Sequence, residues 1–194
     1  MRGAVMLNHL RTLWRDVGGV AAIEFALLLP MLLALLIGCL EVTFKIWSTQ
    51  KAEKLAVTLS DVIAQSTNVT SGDLAKLTGA VDRIMDPFPF GADKGKVIIS
   101  SVYWEQGDDA AKVNWQCPYP STGGYSGTSK FGVEGADATL PTGFTLNEKD
   151  NIIVAEVFYE YNPIAPGLLF DQAAIYRRAI FKPRLGLLTA DPGC

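Results

Sequence analysis

Histidine is almost missing: the 194 residues contain one, His9. Behind residue 19 there is none, which excludes a Ser–His or Cys–His nucleophile pair there. Cysteine is scarce as well. The three, Cys39, Cys117 and Cys194, have no CxxC zinc spacing and are too few for a disulfide scaffold. No glycine-rich phosphate loop follows a strand pattern. Basic charge is short where a nucleic-acid face would need it. Of the 17 basic and 20 acidic side chains, residues 1–19 hold Arg2, Arg11 and Arg15 against Asp16, so the remainder is acidic. The expectation is a structural protein rather than an enzyme, with no cofactor, no metal, no small-molecule substrate and no nucleic-acid partner.

Apolar sequence is abundant, and it is concentrated near the N-terminus. Residues 20–40 read VAAIEFALLLPMLLALLIGCL, with one charge, Glu24. As a helix this stretch spans roughly the ~30 Å hydrocarbon core of a bilayer. A core helix of a globular protein would show a polar stripe, and this one shows none. The arginine excess ahead of it predicts a cytoplasmic N-terminus in the inner membrane, with the rest of the chain in the periplasm. Further on, apolar residues recur at Leu40, Phe44, Trp47, Leu55, Leu59, Val62 and Ile63, mostly at helical steps. Lys45, Lys51, Glu53, Lys54 and Asp61 fill the other faces. The spacing predicts one long helix over about residues 20–64, with Pro30 as a site for a kink. The expected organisation is a basic leader over 1–19, a membrane helix over 20–40, an amphipathic extension over 41–65 and a periplasmic domain over 66–194.

In that domain Ser71 is the expected cap of a second helix with the face Leu74, Leu77, Val81 and Ile84, stopped by Pro87 and Pro89. Residues 96–105 and 152–161 are β-branched and aromatic and predict strands; 111–117 and 174–182 are weaker candidates. The Gly, Ser, Thr and Pro of residues 118–143 predict a long exposed loop. Helices first and strands later predict an α+β domain with an antiparallel sheet. Asp108 and Asp109 sit in a glycine-flanked turn and read as a solvated hairpin tip. Glu156 and Glu160 share one face of a strand; a carboxylate pair for acid–base work is conceivable, but the preferred reading is an exposed strand face. Asn68-Val69-Thr70 matches a glycosylation sequon and is taken as chance.

The informative residues are Gly18-Gly19-Val20-Ala21-Ala22-Ile23-Glu24-Phe25. A prepilin peptidase cuts after a glycine on the cytoplasmic side and leaves the apolar helix in place. A cut after Gly19 makes Val20 the new N-terminus, with Glu24 fifth and Phe25 sixth. A small residue is needed there because the backbone must lie extended in a protease cleft. A carboxylate in the span is costly, by roughly 2.5–3.5 kcal/mol at a bilayer centre and less near its edge. In a helical filament its partner could be the α-amino group of Val20 on a neighbouring subunit, a charge-assisted pair that sets axial register. The alternative for Glu24 is a carboxylate that snorkels into water. Phe25 is expected to assist at the peptidase or in packing.

The stretch GGVAAIEFALLLPMLL resembles the start of the TadE-like proteins, minor pilins or pseudopilins of the tight-adherence (Flp) pilus apparatus. Their pattern is a glycine, four small or apolar residues, Glu-Phe, an apolar run and a proline, matched by Gly19, Glu24, Phe25 and Pro30. A looser likeness covers Val154-Ala155-Glu156-Val157-Phe158-Tyr159, then Tyr161, Pro163-Ile164 and Lys182-Pro183-Arg184. The resemblance implies a role in Flp pilus assembly or adhesion, processing by a prepilin peptidase, and other pilins and Flp machinery proteins as partners. The larger TadG-like relatives share the N-terminal motif but carry a von Willebrand-type domain; this chain is shorter and has no DxSxS motif.

Two other anchors remain open. One is an uncleaved single-pass helix. The other is a lipoprotein acylated at Cys39 in Leu36-Ile37-Gly38-Cys39, against which stand the long basic region and Glu24 inside the apolar signal. N-terminal sequencing returns Val20, Met1 or Cys39 accordingly. Because Cys39 lies in the membrane helix, Cys117 and Cys194 are left as a pair in an oxidising compartment. A disulfide between them is expected, with two free thiols as the alternative until their Cα atoms are known to approach within ~7 Å.

Overall fold

The computed structural model describes residues 18–122, 125–167 and 171–194. The expected leader over 1–19 therefore lies outside the described residues except for its last two. Contacts divide the chain into two compact units, the first ending at Thr43 and the second running from Phe44 to Cys194.

Helix α1, Gly18–Ala64, is 47 residues long and runs unbroken through Pro30. From Gly19 to Leu36 every residue of the helix is exposed, including Ile23, Leu27, Met31 and Leu35. In the second unit it is amphipathic. Leu55, Leu59 and Ile63 are buried there, together with a line of small residues, Ser48, Ala52, Ala56 and Ser60, all 0% exposed. Their four-residue spacing keeps them on one face of the helix, and Ala52 and Ala56 belong to the same core cluster as Leu55 and Leu59. The Ser60 hydroxyl donates back to the Ala56 carbonyl at 2.7 Å, so its burial leaves no donor unmatched. Of the residues expected in the apolar face, Leu40 is 44% exposed and Trp47 and Val62 are each 40% exposed, though the Trp47 ring meets Phe88 edge-on at 5.3 Å.

The helix over 71–86 is in fact two: α2 (Ser71–Thr78) and α3 (Val81–Met85). Thr70, not Ser71, is the N-cap; its extended backbone lets the side chain accept from the Asp73 amide. Gly79 and Ala80 break the run. A short α4 (Gly91–Lys94) leads into the sheet. The strands are β1 (Gly95–Tyr103), β2 (Lys112–Tyr119), β3 (Asn151–Tyr161) and β4 (Ala173–Phe181), in the order β2-β1-β3-β4 and antiparallel throughout. The fold is α+β.

Both faces of this sheet are covered. Leu55, Leu59, Val81 and Met85 meet Val97, Ile99, Ile153 and Val157 on one face. On the other, Val102, Val113, Ile152 and Val154 pack with Phe131 and Leu146. Two covered faces explain why β3 is buried at every position from Asn151 to Tyr159, which a sheet with one solvated face would not produce. Among the described residues the expected loop over 118–143 is irregular beyond Tyr119 and mostly exposed, but Phe131 within it turns into the second core and is fully buried. A bulge opposite Ser101 and Val102 gives β2 an extra residue at Asn114, so Val113 and Trp115 serve opposite cores.

Candidate functional site

The first turns of α1 carry the residues singled out in the sequence. The helix already includes Gly18, so Gly19 and Val20 lie in its first turn, where backbone amides have no intrahelical acceptor and hold the chain least. Nothing lies within 4 Å of the position a Gly19 side chain would take. Val20 and Glu24, four residues apart, lie on one helix face. Among the described residues, no cation lies within ion-pair distance of Glu24. Phe25 is 59% exposed. Cys39, further along, is a free, exposed thiol.

The helix is long and apolar enough to cross a membrane. Each exposed Leu or Ile forgoes about 1.5–3 kcal/mol relative to burial, so hydrocarbon or apolar protein around this surface would stabilise it. Residues 19–57 match the family model of TadE-like proteins. The TadE-like segment thus begins at the glycine that precedes Val20 and ends within the amphipathic half of α1. The looser C-terminal likeness over 154–184 lies outside the match. No curated protein and no solved structure matches the chain.

Behind the TadE-like segment two polar constructions organise the domain. The first is Glu156, expected on an exposed strand face and found 0% exposed. The loop around Phe131 is the reason: the Lys130 amide donates to its carboxylate at 2.9 Å, and the Ser129 hydroxyl donates as well. From β4 the Tyr176 hydroxyl donates at 2.7 Å. Burial, then the bond to the Glu156 carboxylate, raise the Tyr176 phenol well above its ordinary value. Glu160 is only half-buried, so the two glutamates form no matched pair.

The second construction is the C-terminal tail. The Arg184 amide caps the end of α1 at Ala64 at 2.8 Å, and its guanidinium pairs with Asp61 at 2.5 Å. Leu188 is buried; its amide donates to Asn151 at 2.9 Å, and its carbonyl accepts from Ser101 at 2.8 Å and the Trp115 indole at 2.9 Å. The Ser71 amide donates to Pro192 at 3.1 Å, beside the start of α2. Cys194 is bonded to Cys117, with their Cα atoms 5.6 Å apart. Sequence reasoning missed the Leu188 anchor; its only signal is one apolar residue in a Gly/Pro-rich tail.

Proposed function

We propose that this chain is a TadE-like minor pilin or pseudopilin of the Tad (Flp) pilus system, a structural component and not an enzyme. The observation that carries the reading is the position of the family match: it opens at Gly19, the residue that the Gly-x4-Glu-Phe spacing marks for cleavage. In this reading α1 is anchored in the inner membrane with its start in the cytoplasm, and the sheet domain lies in the periplasm. A prepilin peptidase unwinds the first turn of α1 and cuts between Gly19 and Val20. The new ammonium of Val20 pairs with Glu24 of a neighbouring pilin. That pairing compensates a carboxylate in an apolar stretch and fixes the axial offset between subunits. Phe25 packs beside the pair.

The test is N-terminal sequencing of the chain from membranes of cells that hold the peptidase. Wild type should begin at Val20, and Gly19→Leu should retain Met1. A wild-type chain beginning at Met1 makes it an uncleaved anchor, and one beginning at Cys39 a lipoprotein. Mass spectrometry of sheared pili then tells whether the chain enters the filament.

A further inference from the structure

The sheet has two edges, and they are treated differently. Edge β2 is blunted in several ways. It contains Pro118, carries the bulge at Asn114, and is bridged by Lys112 to Asp137. The Val113 amide bonds to Ala136 and the Gly135 amide to Val113, which covers that end of the strand. These are the devices by which proteins close a sheet edge to foreign strands.

Edge β4 has none of them. Its nine residues pair with β3 in continuous register, without a bulge. It contains no proline. Among the described residues, no backbone group outside β3 hydrogen-bonds to it, and the Arg177 guanidinium donates to the Tyr176 carbonyl at 2.8 Å. What it carries is charge. Arg177 lies on the α1 side, 3.9 Å from Glu53, and Arg178 on the opposite side, with its guanidinium 5.7 Å from the Phe131 ring. Lys130 stands over the Tyr176 ring at 3.8 Å. Among the described residues neither Lys130 nor Arg178 has a carboxylate within ion-pair distance. Together with Tyr176, Arg177 and Glu53 they line an open groove of about 540 Å³ that flanks the strand.

We propose that the free edge of β4 takes up an extended, acidic segment of a partner protein as an added strand. Backbone hydrogen bonds along the edge supply the affinity, and the unpaired cations supply the choice of an acidic strand. A second copy of this chain is a poor occupant. Antiparallel pairing of two β4 strands about their midpoint sets Arg177 against Arg177, and like charges directly opposite destabilise a strand pair. Pairing with the β2 edge of another copy meets the proline, the bulge and the bridge.

The test uses the full chain in detergent micelles and two short synthetic peptides, one alternating Thr and Glu, the other Thr and Lys. The acidic peptide should bind about tenfold more tightly, a difference that a few cross-strand charge pairs supply. It should also slow amide exchange along Ala173–Phe181. The double variant Lys130→Glu, Arg178→Glu should reverse the preference; should it fail to fold, Arg178→Gln alone should weaken acidic binding. Equal affinity for the two peptides overturns the proposal. So does acidic binding that leaves β4 exchange unchanged, which would make the arginines mere counter-ion sites. Protection by neither peptide would show that the charges only guard the edge.

Discussion

The hydroxyl of Tyr176 on the edge strand donates at 2.7 Å to the carboxylate of Glu156, which is wholly buried on the neighbouring strand. Phe158, two residues along from Glu156, has its ring centroid 5.0 Å from that of Tyr176. The polar bond and the ring contact together hold β4 to β3 beneath the loop around Phe131.

Removing the acceptor strands its donors. In Glu156→Ala the Lys130 amide and the Ser129 and Tyr176 hydroxyls lose their partner at once. The expected loss of stability is about 3 kcal/mol, since a buried donor left unpaired costs ~1–3 kcal/mol and these three are part-buried, so water relieves some of the cost. Glu156→Gln keeps one oxygen and should cost less. Urea unfolding of the full chain in detergent, followed by the fluorescence of buried Trp115, measures both. A cost for Glu156→Ala no greater than the ~0.5 kcal/mol of a surface change would mean the loop is held by other contacts.

Alkaline pH should loosen the same place. The Tyr176 phenol is raised in the folded state, by burial first and by Glu156 second. The folded chain therefore keeps this proton where the unfolded chain releases it. Its contribution is complete below the ordinary tyrosine value of about 10 and declines as pH rises from there through the folded value. Thermal melts across the alkaline range should fall more steeply for wild type than for Tyr176→Phe. Parallel curves, or a tyrosinate signal showing Tyr176 ionising with exposed tyrosines, would contradict the geometry.

The tail depends on two kinds of anchor. Cys117 and Cys194 are separated by 77 residues. A loop of that size gives a chain-entropy stabilisation of about 4.5 kcal/mol as an upper figure. Cys194→Ser should lose less than that, because the Leu188 bonds remain. Amide exchange should quicken after residue 189 while the Leu188 amide stays protected. Thiol alkylation of the unreduced wild type should label Cys39 alone. Labelling of all three cysteines would disprove the bridge.

Glu24→Gln separates cleavage from assembly. The amide keeps the size of the side chain and removes its charge, so the peptidase step after Gly19 should proceed. Association with other pilins should fall, because a neutral amide cannot pair with the Val20 ammonium as a carboxylate does. Co-purification with the pilins and electron-microscopic counts of pili measure this. Unchanged values in both would leave Glu24 as a snorkelling side chain.

Much of this protein was legible in the chain. Residues that repeat at a local period announce themselves: the apolar run of α1, its helical spacing afterwards, and the β-branched strands β1 and β3 all follow from backbone geometry. The weaker strands β2 and β4 were readable too, within a few residues of their ends. Thr70 in place of Ser71 as the cap, and the break at Gly79 and Ala80, turn on small energy differences that neighbouring packing decides. The burial of Ser48, Ala52, Ala56 and Ser60 was not legible, because small residues carry little hydrophobic signal of their own.

By itself the sequence determined the long helix, its apolar first half, the TadE-like motif at Gly19–Phe25 and the α+β order, since each depends on residues close together along the chain. Only the tertiary structure decided the burial of Glu156, the return of the loop around Phe131 across the sheet, the anchoring of Leu188 and the open edge of β4. Each of these joins residues far apart in sequence. Whether a glutamate is exposed or enclosed, and whether a strand edge is covered, depends on which distant segment returns to it, and no local pattern of residue types specifies that return.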